Sequence, residues 1–175
     1  MSEVGNGIVA EELQLNQLEA ETVELLKKHH LRLTTAESCT GGAISAGIVN
    51  VPGASEVLMQ GLVTYANEAK ERYLGVKKET LEKYGAVSVQ TASEMATGAC
   101  SCTGTEASIA TTGIAGPGGG TVQKPVGLVY IGCCVLGKTV VKEFHFRGDR
   151  QEIRSQAVLE ALKLLIETVT CAFSE

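Results

Sequence analysis

At 175 residues, 44% hydrophobic and 20% charged, the chain has the length and composition of one folded domain and not of a disordered segment. Its formal charge of −5, with no lysine- or arginine-rich run, argues against a surface that neutralises nucleic-acid phosphates. No stretch approaches the ~18 consecutive apolar residues of a membrane span, and the acidic N-terminus lacks the basic and apolar regions of a leader, so a cytoplasmic protein is expected.

In chain order, residues 1–10 read as a disordered tail of a single domain spanning 1–175, overlapping the start of an amphipathic helix over 8–30. That helix carries Leu13, Leu15, Leu18, Val23, Leu25 and Leu26 at helical spacing. His29 and His30 read as solvated helix-end residues, favourable at the negative end of the dipole. Leu31–Ala36 is a β-branched strand, 41–49 a small-residue helix, and 57–66 a second strand. Asn67 and Glu68 cap a helix over 69–74, and two further helices are expected over 77–84 and 88–99. A strand over 107–112 precedes a glycine-rich loop over 113–120, after which 127–135 and 139–146 form an antiparallel hairpin. Asp149 caps a final helix reaching about Phe173. Strands alternating with helices imply an α/β domain, a three-layer α/β/α sandwich on a mixed, mostly parallel central sheet.

Six cysteines stand at 39, 100, 102, 133, 134 and 171, but Cys100-Ser101-Cys102 and Cys133-Cys134 have no zinc-knuckle spacing, and the three histidines show no ligand spacing. Neither metal nor disulfides are expected, and every cysteine except Cys39 reads as a small buried hydrophobe.

Chemistry concentrates in 35–42, where Ser38 and Cys39 sit at a strand-to-helix junction followed by Thr40-Gly41-Gly42. Unpaired N–H groups of a first helical turn point at whatever oxygen lies in front of them. A serine at such a place most often only caps a helix. It becomes a nucleophile when a base removes its proton, and a desolvated lysine can do this. Lys70, near a helix start, and Tyr65, able to relay a proton, supply such company, although each by itself reads as a surface residue. Five of the nine residues from Thr112 to Gly120 are glycine, which suits either a flexible surface loop or backbone that wraps an anion. Arg150 and Arg154 lie at a helix N-terminus, where the dipole disfavours them, which hints that they answer to a bound anion.

Six ordered motifs then converge. Ala36-Glu37-Ser38-Cys39-Thr40-Gly41-Gly42, Thr64-Tyr65-Ala66-Asn67-Glu68-Ala69-Lys70, Tyr84-Gly85-Ala86-Val87-Ser88, Thr112-Gly113-Ile114-Ala115-Gly116-Pro117, Lys124-Pro125-Val126-Gly127 and Gly148-Asp149-Arg150 together resemble the CinA C-terminal domain family, from about residue 15 to the C-terminus. The resemblance implies a nicotinamide-nucleotide amidohydrolase, which hydrolyses the carboxamide of nicotinamide mononucleotide to nicotinate mononucleotide and ammonia. It implies Ser38 as nucleophile with Tyr65 and Lys70 as acid/base partners. Thr40, Gly41 and Gly42 would form the oxyanion turn, and Thr112, Gly113, Ala115, Gly116, Arg150 and Arg154 the ligand site. It implies no metal and no cofactor, a small pyridine nucleotide as ligand, and a homo-oligomer. Larger members carry an additional molybdopterin-binding-like domain, for which 175 residues leave no room. Two departures stand out: Gln90 in place of an acidic residue, and Gly118-Gly119-Gly120-Thr121 where many relatives have Thr-Gly-Gly.

Two rival readings accompany this one. Cys39 with Glu37 and Lys70 would make a thiol amidase trio, although adjacent strand residues face opposite sides and Ser38 and Cys39 then cannot both reach one pocket. Alternatively, the pocket belongs to a non-catalytic nucleotide-binding or partner-binding module.

Overall fold

A computed structural model describes residues 3–174, with side chains from Glu12 onward. Five strands, β1 (Leu33–Glu37), β2 (Leu58–Val63), β3 (Ala107–Gly113), β4 (Leu128–Val135) and β5 (Lys138–His145), form one sheet in the order β2-β1-β3-β4-β5. β1 pairs in parallel with β2 and β3, while β4 is antiparallel to both β3 and β5. Four strands therefore share one direction and β4 alone opposes them, which is the mixed, mostly parallel sheet expected.

Six helices, α1 (Glu3–Lys28), α2 (Ala43–Val49), α3 (Asn67–Leu74), α4 (Lys78–Tyr84), α5 (Val89–Thr103) and α6 (Arg150–Ala172), cover the two faces. α1, α2 and α6 enclose one core with Val23, Leu26, Ile44, Ile48, Ile153, Leu162 and Leu165, into which Leu33, Ile109, Ile131 and Cys133 project from the sheet. Burying each such large aliphatic side chain stabilises by roughly 1.5–3 kcal/mol, so this face carries much of the fold. α5 packs on the other face, with α3 and α4 beside it. There the strands present small residues, Ala36, Ser108, Ala110, Gly132 and Cys134, and Ser108 Oγ donates to the Ala96 carbonyl at 2.6 Å. A Cβ on Gly132 would stand 2.5 Å from the Ala92 carbonyl oxygen, so the helix lies directly on the sheet at that point.

Several boundaries differ from expectation. α1 begins at Glu3, so residues 3–10 continue a helix where a tail is expected, and residues 1 and 2 lie outside the described residues. α5 runs on to Thr103, because nothing breaks it before Gly104 turns left-handed (φ 67°). The strand expected over 57–66 is shorter, since Thr64, Tyr65 and Ala66 leave the sheet to enter α3. His29 is stacked on Phe173 at 4.0 Å between ring centroids and is not simply solvated. Asp149 caps α6 as expected, accepting from the Gln151 and Glu152 amides, and Glu152 closes a capping box. No helix among the described residues is long and apolar enough to cross a membrane.

The topology places the C-terminal ends of the parallel strands β1, β2 and β3 on one rim of the sheet, where open α/β sheets hold their ligands. Ser38 follows β1, Tyr65 follows β2, and Thr112 and Gly113 end β3.

Candidate active site

Ser38 is held at the rim by its own amide, which donates to the Thr111 carbonyl at 2.9 Å. Strand alternation turns Glu37 and Ser38 to opposite sides, so the two adjacent side chains serve different elements. On the Ser38 side, Lys70 of α3 places Nζ 3.0 Å from Ser38 Oγ. The amine also donates to the carbonyls of Thr64 (2.8 Å) and Tyr65 (3.1 Å). Lys70 is only 1% exposed, and this burial lowers its pKa to about 8.

These contacts define a proton acceptor. The two carbonyls can only accept, so a neutral lysine must give them its two N–H bonds, which leaves its lone pair facing the Ser38 hydroxyl. Desolvation makes the neutral amine accessible near neutral pH.

Glu37 faces the other way and is fully buried. Its Oε2 accepts from Thr40 Oγ1 (2.7 Å) and from the amides of Gly42 (2.9 Å) and Ile44 (3.1 Å), while Oε1 accepts from the amide and hydroxyl of Ser45, each at 2.9 Å. This carboxylate takes up the N-terminal amides of α2, so that helix start does not receive a ligand's oxygen as expected. Gly42 gives its N–H to Glu37, Thr40 is wholly buried and bonded to Thr111 Oγ1 at 2.7 Å, and Gly41 lies against Arg154. Glu37 thus closes the Gly42 end of the Thr40-Gly41-Gly42 turn, while Gly41 stays exposed. The signal for this was present in the sequence as an acidic residue just before a glycine-rich helix start.

The thiol trio fails on the same geometry. Glu37 bonds to the α2 turn, and Cys39 packs into the apolar core under α2 and α6, where burial pushes its thiol up to about 11. Cys133 and Cys134 are buried too, but Cys102 and Cys171 are exposed, because the sheet-facing side of α5 and the core-facing side of α6 leave those positions outside.

A cavity of about 210 Å³ opens in front of Ser38 and Lys70, lined also by Cys39, Tyr65, Ala86, Val87, Thr112, Gly113, Ala115 and Arg150. Beside it lies a second, of about 470 Å³, lined by Ala115, Pro117, Val126, Gly148, Asp149, Arg150, Gln151 and Arg154. Ala115 and Arg150 wall both, so the two make one elongated cleft. Ala86 and Val87, which stand in the Tyr84–Ser88 motif but carry no reactive group, form part of the inner wall.

Tyr65 is 62% exposed, and its hydroxyl accepts from Arg150 at 3.2 Å, so the phenol stands at the mouth and bonds to neither Ser38 nor Lys70. Arg150 also donates to the Gly116 carbonyl at 2.7 Å. Arg154 donates to the carbonyls of Cys39 (3.1 Å) and Thr40 (2.7 Å), which ties the serine turn to α6. Both arginines therefore answer first to loop carbonyls, which accounts for their unfavourable place on the dipole. Thr112, part of the cavity lining, gives its hydroxyl to the Ala86 carbonyl at 2.8 Å and so fixes the wall. Of the glycine-rich loop, Gly113, Ala115 and Pro117 line the cleft, whereas a Cβ on Gly118 would meet nothing within 4 Å.

The CinA C-terminal domain family matches residues 15–169. The chain belongs to this family. A CinA-like protein of Kosmotoga olearia is 56% identical over 145 residues, which are 83% of this chain and 35% of that protein. The chain thus spans about a third of the length of the curated relatives it matches. Among solved structures, the competence/damage inducible protein CihA of Agrobacterium tumefaciens is 42% identical with a TM-score of 0.86, covering 88% of this chain and 94% of that one. A CinA superfamily protein of Escherichia coli gives 36% identity and a TM-score of 0.85, covering 88% and 90%. The α/β architecture described here is that of the CinA superfamily.

Proposed function

We propose that this CinA-family domain is a nicotinamide-nucleotide amidohydrolase, acting on the carboxamide C–N bond of nicotinamide mononucleotide by a serine–lysine mechanism. The observation that carries the reading is Lys70 Nζ, buried and 3.0 Å from Ser38 Oγ with its other donors committed to carbonyls. Such an amine serves as general base without a histidine or a metal.

In the proposed reaction Lys70 takes the Ser38 proton as Oγ attacks the carboxamide carbon. The tetrahedral oxyanion is proposed to accept a hydrogen bond from the amide of Cys39, the next residue in the chain and part of the cavity lining, a donor of the kind whose loss costs about 10²–10³ in rate. The protonated Lys70 returns its proton to the departing nitrogen, the C–N bond breaks and ammonia leaves an ester on Ser38. Water, deprotonated by Lys70, then attacks the ester carbon to release nicotinate mononucleotide and restore the hydroxyl.

The size of the cleft supports a nucleotide over a simple amide. The inner cavity suits the pyridine ring, and the outer one, walled by Arg150 and Arg154, suits ribose and phosphate. Asp149 already occupies the amides at the start of α6, so guanidinium groups are the anion donors there, Arg150 foremost because it walls both cavities. The test is ammonia release from nicotinamide mononucleotide by wild type, Ser38→Ala and Lys70→Ala in parallel. Release by wild type alone is expected. Tight binding of the nucleotide without turnover would indicate a binding module.

A further inference from the structure

We propose that Glu37 is a positioning residue for the Ser38 nucleophile, acting through the closed turn and making no contact with substrate. The proposal rests on the serine–lysine reading above.

The argument begins with where Glu37 sits in the chain. It is the last residue of β1 and the immediate neighbour of Ser38, so its backbone direction sets that of the serine. Its side chain holds the far end of the turn: five donors from Thr40, Gly42, Ile44 and Ser45 converge on its two oxygens. Thr40 passes the restraint to β3 through Thr111, whose carbonyl receives the Ser38 amide. The chain between Glu37 and Ile44 is thereby closed into a loop anchored at both ends, with Ser38 inside it. Arg154 clamps the same loop at the Cys39 and Thr40 carbonyls.

The main chain of Glu37 reaches the other half of the dyad. Its carbonyl accepts from the Thr64 amide at 2.9 Å, and the Thr64 carbonyl in turn holds Lys70 Nζ. One residue thus sets the position of both reacting groups, the lysine by backbone and the serine by side chain. A change of side chain alone separates them: it loosens the serine and leaves the lysine held.

A carboxylate is required for this task, because all five partners donate. In Glu37→Gln the new amide N–H groups meet either the Gly42 and Ile44 amides or the Ser45 amide, so one end of the turn is released. Small misplacements of a nucleophile from its attacking position cost large factors in rate.

The experiment measures the rate and endpoint of Ser38 labelling by a fluorophosphonate probe, which needs no knowledge of the natural substrate, in wild type, Glu37→Gln and Thr40→Val. The Glu37→Gln protein is expected to label at least about tenfold more slowly. It should still reach one label per chain, with the pH midpoint of labelling unmoved. Thr40→Val, which cuts the link from Glu37 to Thr111, should show a smaller loss of the same kind and carries the test if Glu37→Gln does not fold. Labelling of a folded Glu37→Gln within about twofold of wild type overturns the proposal, as does a lowered endpoint at unchanged rate, which marks loss of folded protein, or a shifted pH midpoint, which places the effect on Lys70. Absence of labelling in wild type overturns it together with the dyad. A wild type that labels but releases no ammonia from the nucleotide refutes the amidohydrolase reading alone, and the role of Glu37 is still decided by the labelling rates.

Discussion

Lys70 Nζ lies 3.0 Å from Ser38 Oγ, and no carboxylate among the described residues bonds to the amine: its other partners are the Thr64 and Tyr65 carbonyls. A lysine in this setting is held by neutral dipoles, so burial dominates its titration.

The pH dependence follows from that burial. Lys70 is lowered from 10.5 to about 8 in the folded protein. The kcat/KM for amide hydrolysis, and the rate of Ser38 labelling, should rise with pH through about 8 and level off above it. Stability moves in the same direction: between pH 8 and 10.5 the unfolded chain binds the extra proton, so unfolding becomes harder as pH rises. Below pH 8 both states are protonated and the full cost of burying the charge, on the order of 3 kcal/mol, is felt. Urea unfolding of wild type and Lys70→Met at pH 7 and pH 10 checks this, with the difference between them changing in favour of wild type at the higher pH.

Removal of either dyad member should abolish the chemistry while sparing the fold. Ser38→Ala deletes one oxygen at a rim position and is expected to lower kcat by about 10³-fold or more, with nucleotide binding retained. Isothermal titration with nicotinamide mononucleotide, run beside the ammonia assay, measures both quantities.

Tyr65→Phe should be mild by comparison. The phenol bonds to Arg150 at the mouth of the cleft and touches neither reacting group. Loss of one such hydrogen bond to a charged donor predicts a fall of roughly 10-fold in kcat/KM. A loss on the scale of Ser38→Ala would instead place the hydroxyl in proton transfer.

Cysteine reactivity should invert the order a sequence reading suggests. Iodoacetamide should modify exposed Cys102 and Cys171 in the native protein and spare Cys39, whose buried thiol is pushed up to about 11. Peptide mapping of the alkylated sites decides it, and Cys39→Ala should keep turnover within a few-fold of wild type.

The close approach of α5 to the sheet gives a test of packing away from the site. A Cβ at residue 132 would be 2.5 Å from the Ala92 carbonyl oxygen, and backbone cannot yield as a side-chain tip does. Gly132→Ala should destabilise by about 1–3 kcal/mol, read from the denaturation midpoint, with activity at saturating substrate little changed.

Much of the scaffold was legible because its signals are local. The two strand runs on either side of Leu136-Gly137-Lys138 marked β4 and β5, Asp149 marked the start of α6, and the β-branched run ending at Ala36 marked β1. The dyad residues were legible as candidates through the ordered motifs that surround Ser38 and Lys70. What misled was chemistry inferred from position alone. A helix start behind Thr40-Gly41-Gly42 suggests free amides, yet Glu37 had already occupied them. For the arginines at the start of α6, position says nothing of the loop carbonyls they also hold, those of Cys39 and Thr40 for Arg154.

The elements, the alternation of strands and helices, and the small set of polar residues at strand ends follow from propensity and periodicity within a few residues. Which of those residues meet is set by long-range packing. Ser38 and Lys70 are separated by 32 positions, and their meeting, like the burial that lowers the lysine's pKa, depends on β1 and β2 lying side by side with α3 folded back over the rim. The same packing turned Glu37 inward and Cys39 into the core, because at the end of a buried strand each side chain's chemistry is set by the layer it faces.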